Sequence, residues 1–573
     1  MTNSGIASVF EQVADLLEFQ GANAFRIRAY RNAARTIQDL SEPIADIAAD
    51  SARALTDVEG IGKDLAEKIN VLLTTGSLPM LEELLSQIPE SVLALLRVPG
   101  LGPKRAATLY RELGITTLDQ LQAACEAGEV RALKGFGAKT EATILQGLAI
   151  AAQADQRILW VRAEQYVQAI LEHLTACKGV RRIEAAGSYR RRKETVGDLD
   201  FLAVADDAAQ AMDHLAAYAD VAEILVRGDT KMSVRLRRSL QVDLRIVPAE
   251  SFGAALQYFT GSKQHNVVLR SRARKQGLKI NEYGVYRGEQ PIAGCEEEDV
   301  YAALGLPWIP PELREARREF EWADAGRLPT LVEHADIRGD LHMHSTWTDG
   351  IATIEEMIEA ARRRGLQYIA ITDHSKRVTV VGGLDAKDVR RQWAEIDALN
   401  GRLDDFTVLK GIELDILENG QLDLPDDVLA EADWVMASVH YGQNQPREQI
   451  TQRILGALEN PYVSAISHPT GRMLQQRDPY QVDLDAVFRA AQRNGKFLEL
   501  NAHPSRLDLD DVACATAKGL GIPIVISTDS HRPEGLDAMR YGINQARRGG
   551  LTATDVVNTR PWPEVKRLLG QRG

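Results

Sequence analysis

At 573 residues the chain exceeds what one hydrophobic core organises, and about one domain per 150 residues predicts roughly three to five domains. Its 68 Lys and Arg against 81 Asp and Glu leave a net charge of −13, which excludes indiscriminate nucleic-acid binding and requires any nucleic-acid surface to be a local basic patch. Four cysteines, Cys125, Cys177, Cys295 and Cys514, form no Cys-x-x-Cys pair, the start Met1-Thr2-Asn3-Ser4-Gly5 has no signal pattern, and no apolar run approaches a membrane span, so a reduced, cytoplasmic protein is expected.

Residues 1–85 show helical apolar spacing at Val9, Val13, Leu16 and Leu17, followed by a basic helix face of Arg26, Arg28, Arg31 and Arg35. Then comes Val58-Glu59-Gly60-Ile61-Gly62-Lys63. A Gly-hydrophobic-Gly turn between short helices exposes backbone N–H groups that hold a phosphate without reading a base. One such turn is usually only a helix C-cap. It recurs within 86–150 as Val98-Pro99-Gly100-Leu101-Gly102-Pro103-Lys104 and as Lys134-Gly135-Phe136-Gly137-Ala138-Lys139. Repetition predicts three helix-hairpin-helix clamps on a DNA backbone, with Gly60, Gly62, Gly100, Gly102, Gly135 and Gly137 at the phosphates.

The densest signal is Gly187-Ser188-Tyr189-Arg190-Arg191-Arg192-Lys193-Glu194-Thr195-Val196-Gly197-Asp198-Leu199-Asp200, running into Phe201-Leu202-Ala203-Val204. Two carboxylates one residue apart at the mouth of an apolar run point to the same face of a strand, where they can hold a divalent cation. The Gly-Ser turn and four consecutive basic residues offer N–H groups and charge for an anion beside it. A metal-bound triphosphate fits that pair. Asp243, in Gln241-Val242-Asp243-Leu244-Arg245-Ile246-Val247, reads as a third carboxylate on a second buried strand.

Downstream, Tyr258-Phe259-Thr260-Gly261-Ser262-Lys263-Gln264-His265-Asn266 precedes a helix bearing Arg270, Arg272, Arg274 and Lys275, and Ile280–Tyr286 reads as a hairpin. A mixed-charge helix and loop over 318–337 carry no recognisable chemistry and read as a linker.

Eight of the eleven histidines follow residue 330. Seven short apolar runs each end in a ligand-type residue: Asp340–His344, Tyr368–His374, Val408–Glu413, Trp434–His440, Val463–His468, Phe497–Asn501 and Ile524–His531. Helical segments separate them. Ligands repeated at strand C-termini predict a distorted seven-stranded α/β barrel. His342, His344, Asp349, His374, Glu413, His440, His468, Asp529 and His531 exceed what a single four- to six-coordinate ion can use, and suit a bi- or trinuclear site of Mn²⁺ or Zn²⁺. Bridging metals lower the pKa of a bound water and direct hydroxide at a phosphate ester. Lys376, Arg472, His503 and Arg506 are candidate phosphate or DNA contacts.

On these motifs the chain resembles the family X DNA polymerases, in the bacterial form with an extra C-terminal domain, and its last segment resembles the polymerase and histidinol phosphatase (PHP) domain. The resemblance implies a multidomain fold: helical helix-hairpin-helix N-terminal domains, an α+β nucleotidyltransferase palm and thumb, and a C-terminal PHP barrel. The corresponding boundaries are 1–85 for a DNA-binding or lyase-like domain, 86–150 for hairpin fingers, 151–250 for the palm, 251–317 for the thumb, 318–337 for the linker and 338–573 for the barrel. It further implies that Asp198, Asp200 and Asp243 bind two Mg²⁺ ions, and that Gly187, Ser188, Arg191 and Gly197 surround the incoming triphosphate. By the same resemblance Tyr258, Phe259 and Gly261 meet the deoxyribose, and Asn266 and Arg270 meet the base or the template minor groove. Lys263 stands where some relatives carry an acid, and a cation there should strengthen triphosphate binding even before metal arrives. Gln241 stands where animal relatives carry a basic residue. Lys68 aligns with the lysine that forms a Schiff base with an abasic sugar, although Asp64 occupies a position where a second lysine is expected.

The implied function is a monomeric DNA repair enzyme acting on gapped or primed DNA with deoxynucleoside triphosphates. It joins a gap-filling polymerase to a 3′ to 5′ exonuclease or 3′-end phosphoesterase. Two alternatives stay open: a barrel that hydrolyses small phosphate esters, and a non-catalytic DNA-end scaffold. Metal ligands report reaction type better than substrate.

Overall fold

The computed structural model describes residues 3–38, 44–50, 53–58, 60–87, 95, 98, 101, 103–138, 140–145, 148, 157–237 and 240–570. It divides into two compact units, Met1–Arg157 and Ile158–Gly573.

The first unit is helical. Helix Asn3–Phe19 buries Ile6, Phe10, Val13 and Leu17, an i, i+4, i+7, i+11 stripe, against helix Ala24–Gln38. Phe10 meets Tyr30 edge-on at 5.5 Å. On the expected basic face, Arg31 pairs with Asp15 at 2.7 Å, so part of that charge is spent inside the unit.

The second unit carries the palm, thumb and barrel. The palm sheet runs in the spatial order Val180–Ala185, Asp198–Ala205, Gln241–Ile246, Lys231–Leu236, Val221–Arg227; only the second and third strands are parallel. Leu199, Phe201 and Ala203 alternate with the two aspartates and enter the core with Val242, Leu244 and Ile246. Ala163, Val167, Ile170 and Leu174 of helix Trp160–Thr175 cover that face. The thumb has helices Phe252–Thr260 and Lys263–Lys275 and an antiparallel sheet of Leu278–Asn281, Gly284–Arg287 and Gln290–Ala293.

Residues 318–337 are not a bare linker. Phe320, Ala323 and Leu331 belong to the thumb core with Leu269, Leu304 and Leu313, and Arg272 pairs with Asp324 at 2.7 Å. Apolar residues at 320 and 323 lie one turn apart on helix Glu319–Asp324 and share its buried face, a pattern that the surrounding charges obscure.

The barrel strands are Gly339–Asp340, Tyr368–Ile371, Thr407–Asp415, Trp434–Ser438, Ala465–Ile466, Phe497–Asn501 and Ile524–Ser527, all parallel and adjacent in chain order. First and last strands meet just past their ends, where His344 N donates to Ser530 O at 2.8 Å and Asp529 N donates to His342 O at 3.0 Å. Three of the four residues in those closing bonds, His342, His344 and Asp529, are expected metal ligands. No helix among the described residues is long and apolar enough to cross a membrane.

Candidate active sites

Asp198, Asp200 and Asp243 share one face of the palm sheet. Asp200 lies directly opposite Asp243 on the parallel neighbour, and Asp198, two residues earlier, returns to the same side. Burial first, and then the carboxylates of Asp198 and Asp243, push the Asp200 carboxyl up to about 7. A trio that resists full ionisation on its own is one that gains from a bound cation. Gln241 Nε2 donates to Asp243 Oδ1 at 3.0 Å, so this neutral residue orients the third carboxylate, with Lys231 Nζ 3.8 Å from the other oxygen. At Gly187 (φ +62°) a Cβ would collide with Asp200 Oδ2, so only glycine brings the Gly-Ser turn against that carboxylate. Ser188 follows, half-buried, and Gly197 is exposed immediately before Asp198.

The basic run is less open to an anion than the sequence predicts, because most of its charge is paired within the chain. Arg190 makes a bidentate pair with Glu297 at 2.7 and 2.8 Å and donates to Thr260 Oγ1. Arg191 donates to Glu315 at 3.1 Å and to Thr260 O, Arg192 pairs with Glu312 at 3.3 Å and contacts Asn544, and Lys193 lies in the field of Glu315 and Asp511. Guanidinium groups this enclosed require carboxylate partners, and the chain supplies them from the thumb and barrel. On barrel helix Met539–Arg548, Arg547 pairs with Glu312 at 2.8 Å, and Arg548 bridges Glu315 at 3.1 Å and Asp511 at 2.6 Å. The run is therefore chiefly a junction between palm, thumb and barrel.

Arg191 still borders the nucleotide turn, since a Cβ at Gly261 would lie 3.2 Å from its Nη1. Tyr258 and Phe259 are half-buried there, edge to face at 5.1 Å, with the Arg245 guanidinium 4.3 Å over Phe259. Lys263 and Arg270 are exposed on the next helix. Asn266 differs from expectation: it is buried, its Oδ1 accepts from Gln257 and its Nδ2 donates to Tyr258 O, both at 2.7 Å. One donor and one acceptor of this buried amide hold the turn.

In the barrel the nine expected ligands converge. Three groups place their donor atoms within 4.8 Å of one another: His344, Asp349, His374 and His531; His342, His344 and Asp529; and His374, Glu413 and His440. His468 joins through Glu413, 3.0 Å from its Nε2. Spacings such as His344 to Asp529 at 3.2 Å, His531 to Asp349 at 3.3 Å and His342 to Glu413 at 3.5 Å match ligands around a common cation at about 2.1 Å. His342 Nε2 and His344 Nδ1, which face Glu413 and Asp349, are buried with no hydrogen-bond partner, a costly state that a metal relieves. Burial, with His374 and His531, lowers His344 to about 4 and keeps its imidazole in the neutral, ligating form. His468 and Asp529 sit at φ +26° and +55°, left-handed backbone that aims their side chains inward from the strand ends. The residues present fit a polynuclear metal centre.

Family models match in four places: a helix-hairpin-helix domain at residues 1–78, a SAM-like helix-hairpin-helix tandem at 92–149, a DNA polymerase beta thumb at 255–315 and a PHP domain at 340–503. The DNA polymerase/3'-5' exonuclease PolX of Bacillus subtilis is 40% identical over 574 residues, 99% of either chain. The chain belongs to the family X DNA polymerases that carry a PHP domain. DNA polymerase lambda of Rattus norvegicus is 26% identical over 55% of this chain and 56% of its own. A "Probable phosphatase" of Thermoanaerobacter is 31% identical over 232 residues, 38% of this chain and 89% of its own.

In this family X chain the three hairpin turns have one backbone hydrogen bond in common. Ile61 N donates to Val58 O, Leu101 N to Val98 O and Phe136 N to Leu133 O, each at 3.0 Å, and each apolar centre is buried. Gly60, Gly62, Gly135 and Gly137 flank two of these turns, while Gly100 and Gly102 lie outside the described residues. Lys68, on helix Lys63–Thr75, is paired through Nζ with Asp64, the residue standing where a second lysine was expected.

Around the barrel centre, Arg472 is held by Glu194 of the palm at 2.8 Å and by Leu507 O, so it serves the junction and not a phosphate. Arg506 remains suited to a phosphate: its Nε lies 3.9 Å from Asp529 Oδ2 and its buried Nη1 has no partner. His503 is exposed and its Nδ1 lies 2.8 Å from Ser505 Oγ; Lys376 lines a cavity of about 500 Å³ with Arg377, Leu417, Glu418 and Asp423. Sequence reasoning missed Glu499. Fully buried, it meets His342 Nδ1 at 2.7 Å and accepts from Ser467 and Ser527, fixing the ring that faces the candidate ligand cluster. An acid in the middle of the apolar run Phe497–Asn501 was the available signal.

Proposed function

We propose that this chain is a DNA repair enzyme with two active sites: a template-directed, gap-filling polymerase and a PHP 3′ to 5′ exonuclease or 3′-end phosphoesterase. One observation carries the reading: a one-faced carboxylate trio and a nine-ligand cluster occur in a single compact unit that the hairpin-bearing unit accompanies. Asp198, Asp200 and Asp243 would hold two Mg²⁺, which would supply activation of a primer 3′-hydroxyl and stabilisation of the departing pyrophosphate. Gly187, Ser188, Arg191 and Lys263 bind the triphosphate, Tyr258, Phe259 and Gly261 pack against the deoxyribose, and Arg270 faces the template. In the barrel the nine ligands would hold two or three Mn²⁺ or Zn²⁺, which would supply an activated water and charge neutralisation at a phosphodiester. Arg506 Nη1 donates to that phosphate, and His503 and Lys376 lie along its approach.

The form we propose is a monomer acting on gapped or primed DNA in the cytoplasm. Lys68 is the candidate abasic-site nucleophile; borohydride trapping of the intact protein but not Lys68→Ala on abasic DNA would support a lyase.

The test uses a labelled primer on gapped DNA with Mg²⁺ or Mn²⁺, with and without dNTPs. Asp198→Ala abolishes extension and keeps 3′ shortening; His342→Ala does the reverse. A second reading, hydrolysis of small phosphate esters, is favoured by relatives named as probable phosphatases, one of them matching 38% of this chain. Shortening that survives His342→Ala would select it.

A further inference from the structure

His265 has no part in the chemistry above, yet it is wholly buried and spans two elements. Its ring stacks on Phe320 at 4.7 Å and 22°. Nδ1 lies 2.9 Å from Glu319 Oε1, and Nε2 lies 2.9 Å from the Tyr301 hydroxyl. Glu319, 1% exposed, also accepts from Ala316 N at 2.7 Å and Arg317 N at 2.8 Å.

These contacts leave little freedom of protonation or direction. A carboxylate that already accepts two backbone N–H groups accepts a third from Nδ1–H, so the other imidazole nitrogen of the neutral ring accepts from Tyr301. Burial lowers the His265 pKa, which keeps the ring neutral. The Gln257 side chain lies beside the Tyr301 hydroxyl. Gln257 Nε2 donates to Asn266 Oδ1, and Asn266 Nδ2 donates to Tyr258 O. A polar chain thus runs from Glu319, in the segment beyond the thumb, to the backbone of the turn bearing Tyr258 and Phe259.

We propose that His265 is a positioning residue for nucleotide binding: through Tyr301, Gln257 and Asn266 it fixes the aromatic turn against which the deoxyribose packs. Every link is buried, and buried polar chains hold a defined geometry only when each member is satisfied. Breaking one link leaves the next donor or acceptor to seek another partner, and the Tyr258 carbonyl moves with it. The inference rests on the reading of that turn as the sugar site.

The experiment measures KM and kcat for dNTP on gapped DNA in the intact chain, with 3′ shortening as a control for folding. His265→Phe keeps the stack on Phe320 and removes both hydrogen bonds; Tyr301→Phe deletes one oxygen and covers the case in which the first variant does not fold. Each raises KM by about fivefold, the size of one net buried hydrogen bond. The double variant rises no further, because the two sit in series, and kcat and 3′ shortening stay unchanged. His265→Gln, which can donate and accept at both ends, recovers part of the loss. Phe259→Ala calibrates the underlying reading. If it raises KM while His265→Phe and Tyr301→Phe do not, or if their effects add, His265 is a structural residue only. If Phe259→Ala also leaves KM unchanged, the sugar-site reading fails first.

Discussion

Arg191 cannot serve both Glu315 and a triphosphate with the same guanidinium face, so Glu315 is expected to compete with the nucleotide. The pair is 12% and 11% exposed and closes at 3.1 Å, enclosed enough that solvent screening takes little from it. A charge-assisted bond of this kind contributes about 1.5 kcal/mol net, equivalent to roughly tenfold in affinity. Glu315→Gln should therefore tighten dNTP binding by about tenfold. It should also lower stability by about 3 kcal/mol, because Arg548 loses one carboxylate and keeps only Asp511 at 2.6 Å. Single-turnover extension on gapped DNA at varied dNTP gives Kd, and thermal unfolding gives the stability change. Unchanged or weaker dNTP binding in a folded Glu315→Gln protein would refute the competition; so would an Arg191→Ala variant with normal dNTP affinity.

Glu499→Gln should weaken metal binding at the barrel by about 10–100-fold without removing a ligand, measured by calorimetric titration of the metal-stripped chain; unchanged affinity would deny Glu499 its orienting role. Gly187→Ala forces a Cβ into Asp200 and should cost extension about 10²-fold, while 3′ shortening persists. The junction should fail in acid. Burial raises the Glu315 carboxyl, but Arg548, Arg191, Lys193 and Arg317 outweigh it and bring it to about 2, from an ordinary 4.5. A carboxyl depressed in the fold stabilises it above 4.5 and ceases to do so as pH falls through about 2. Glu312 is depressed likewise, with burial again opposing and Arg192 and Arg547 prevailing. Tryptophan fluorescence, with Trp160 5.8 Å from barrel Tyr541, should report loss of the contact across that window, and an unaltered signal down to pH 2 would contradict it.

Much of the chemistry was readable locally. Strand alternation alone put Asp198 and Asp200 on one face, the recurring Gly-x-Gly turns marked the hairpins, and seven apolar runs, six of them ending in a histidine or an acid, described the barrel and its candidate ligands. Each of these patterns depends on spacing within a few residues, which backbone geometry converts directly into direction. The basic run shows where that logic stops. Arg190–Lys193 look like an anion site because their partners are absent from the local window; Arg190 finds Glu297 107 residues on, and Arg191 finds Glu315 124 residues on. The hidden apolar face at Phe320 and Ala323, the paired amide of Asn266 and the support of His342 by Glu499 likewise depend on distant neighbours. Sequence by itself determined which groups are present and which face they share. Tertiary structure decided which charges are neutralised and which remain for substrate, because neutralisation depends on distances in space that local spacing does not encode.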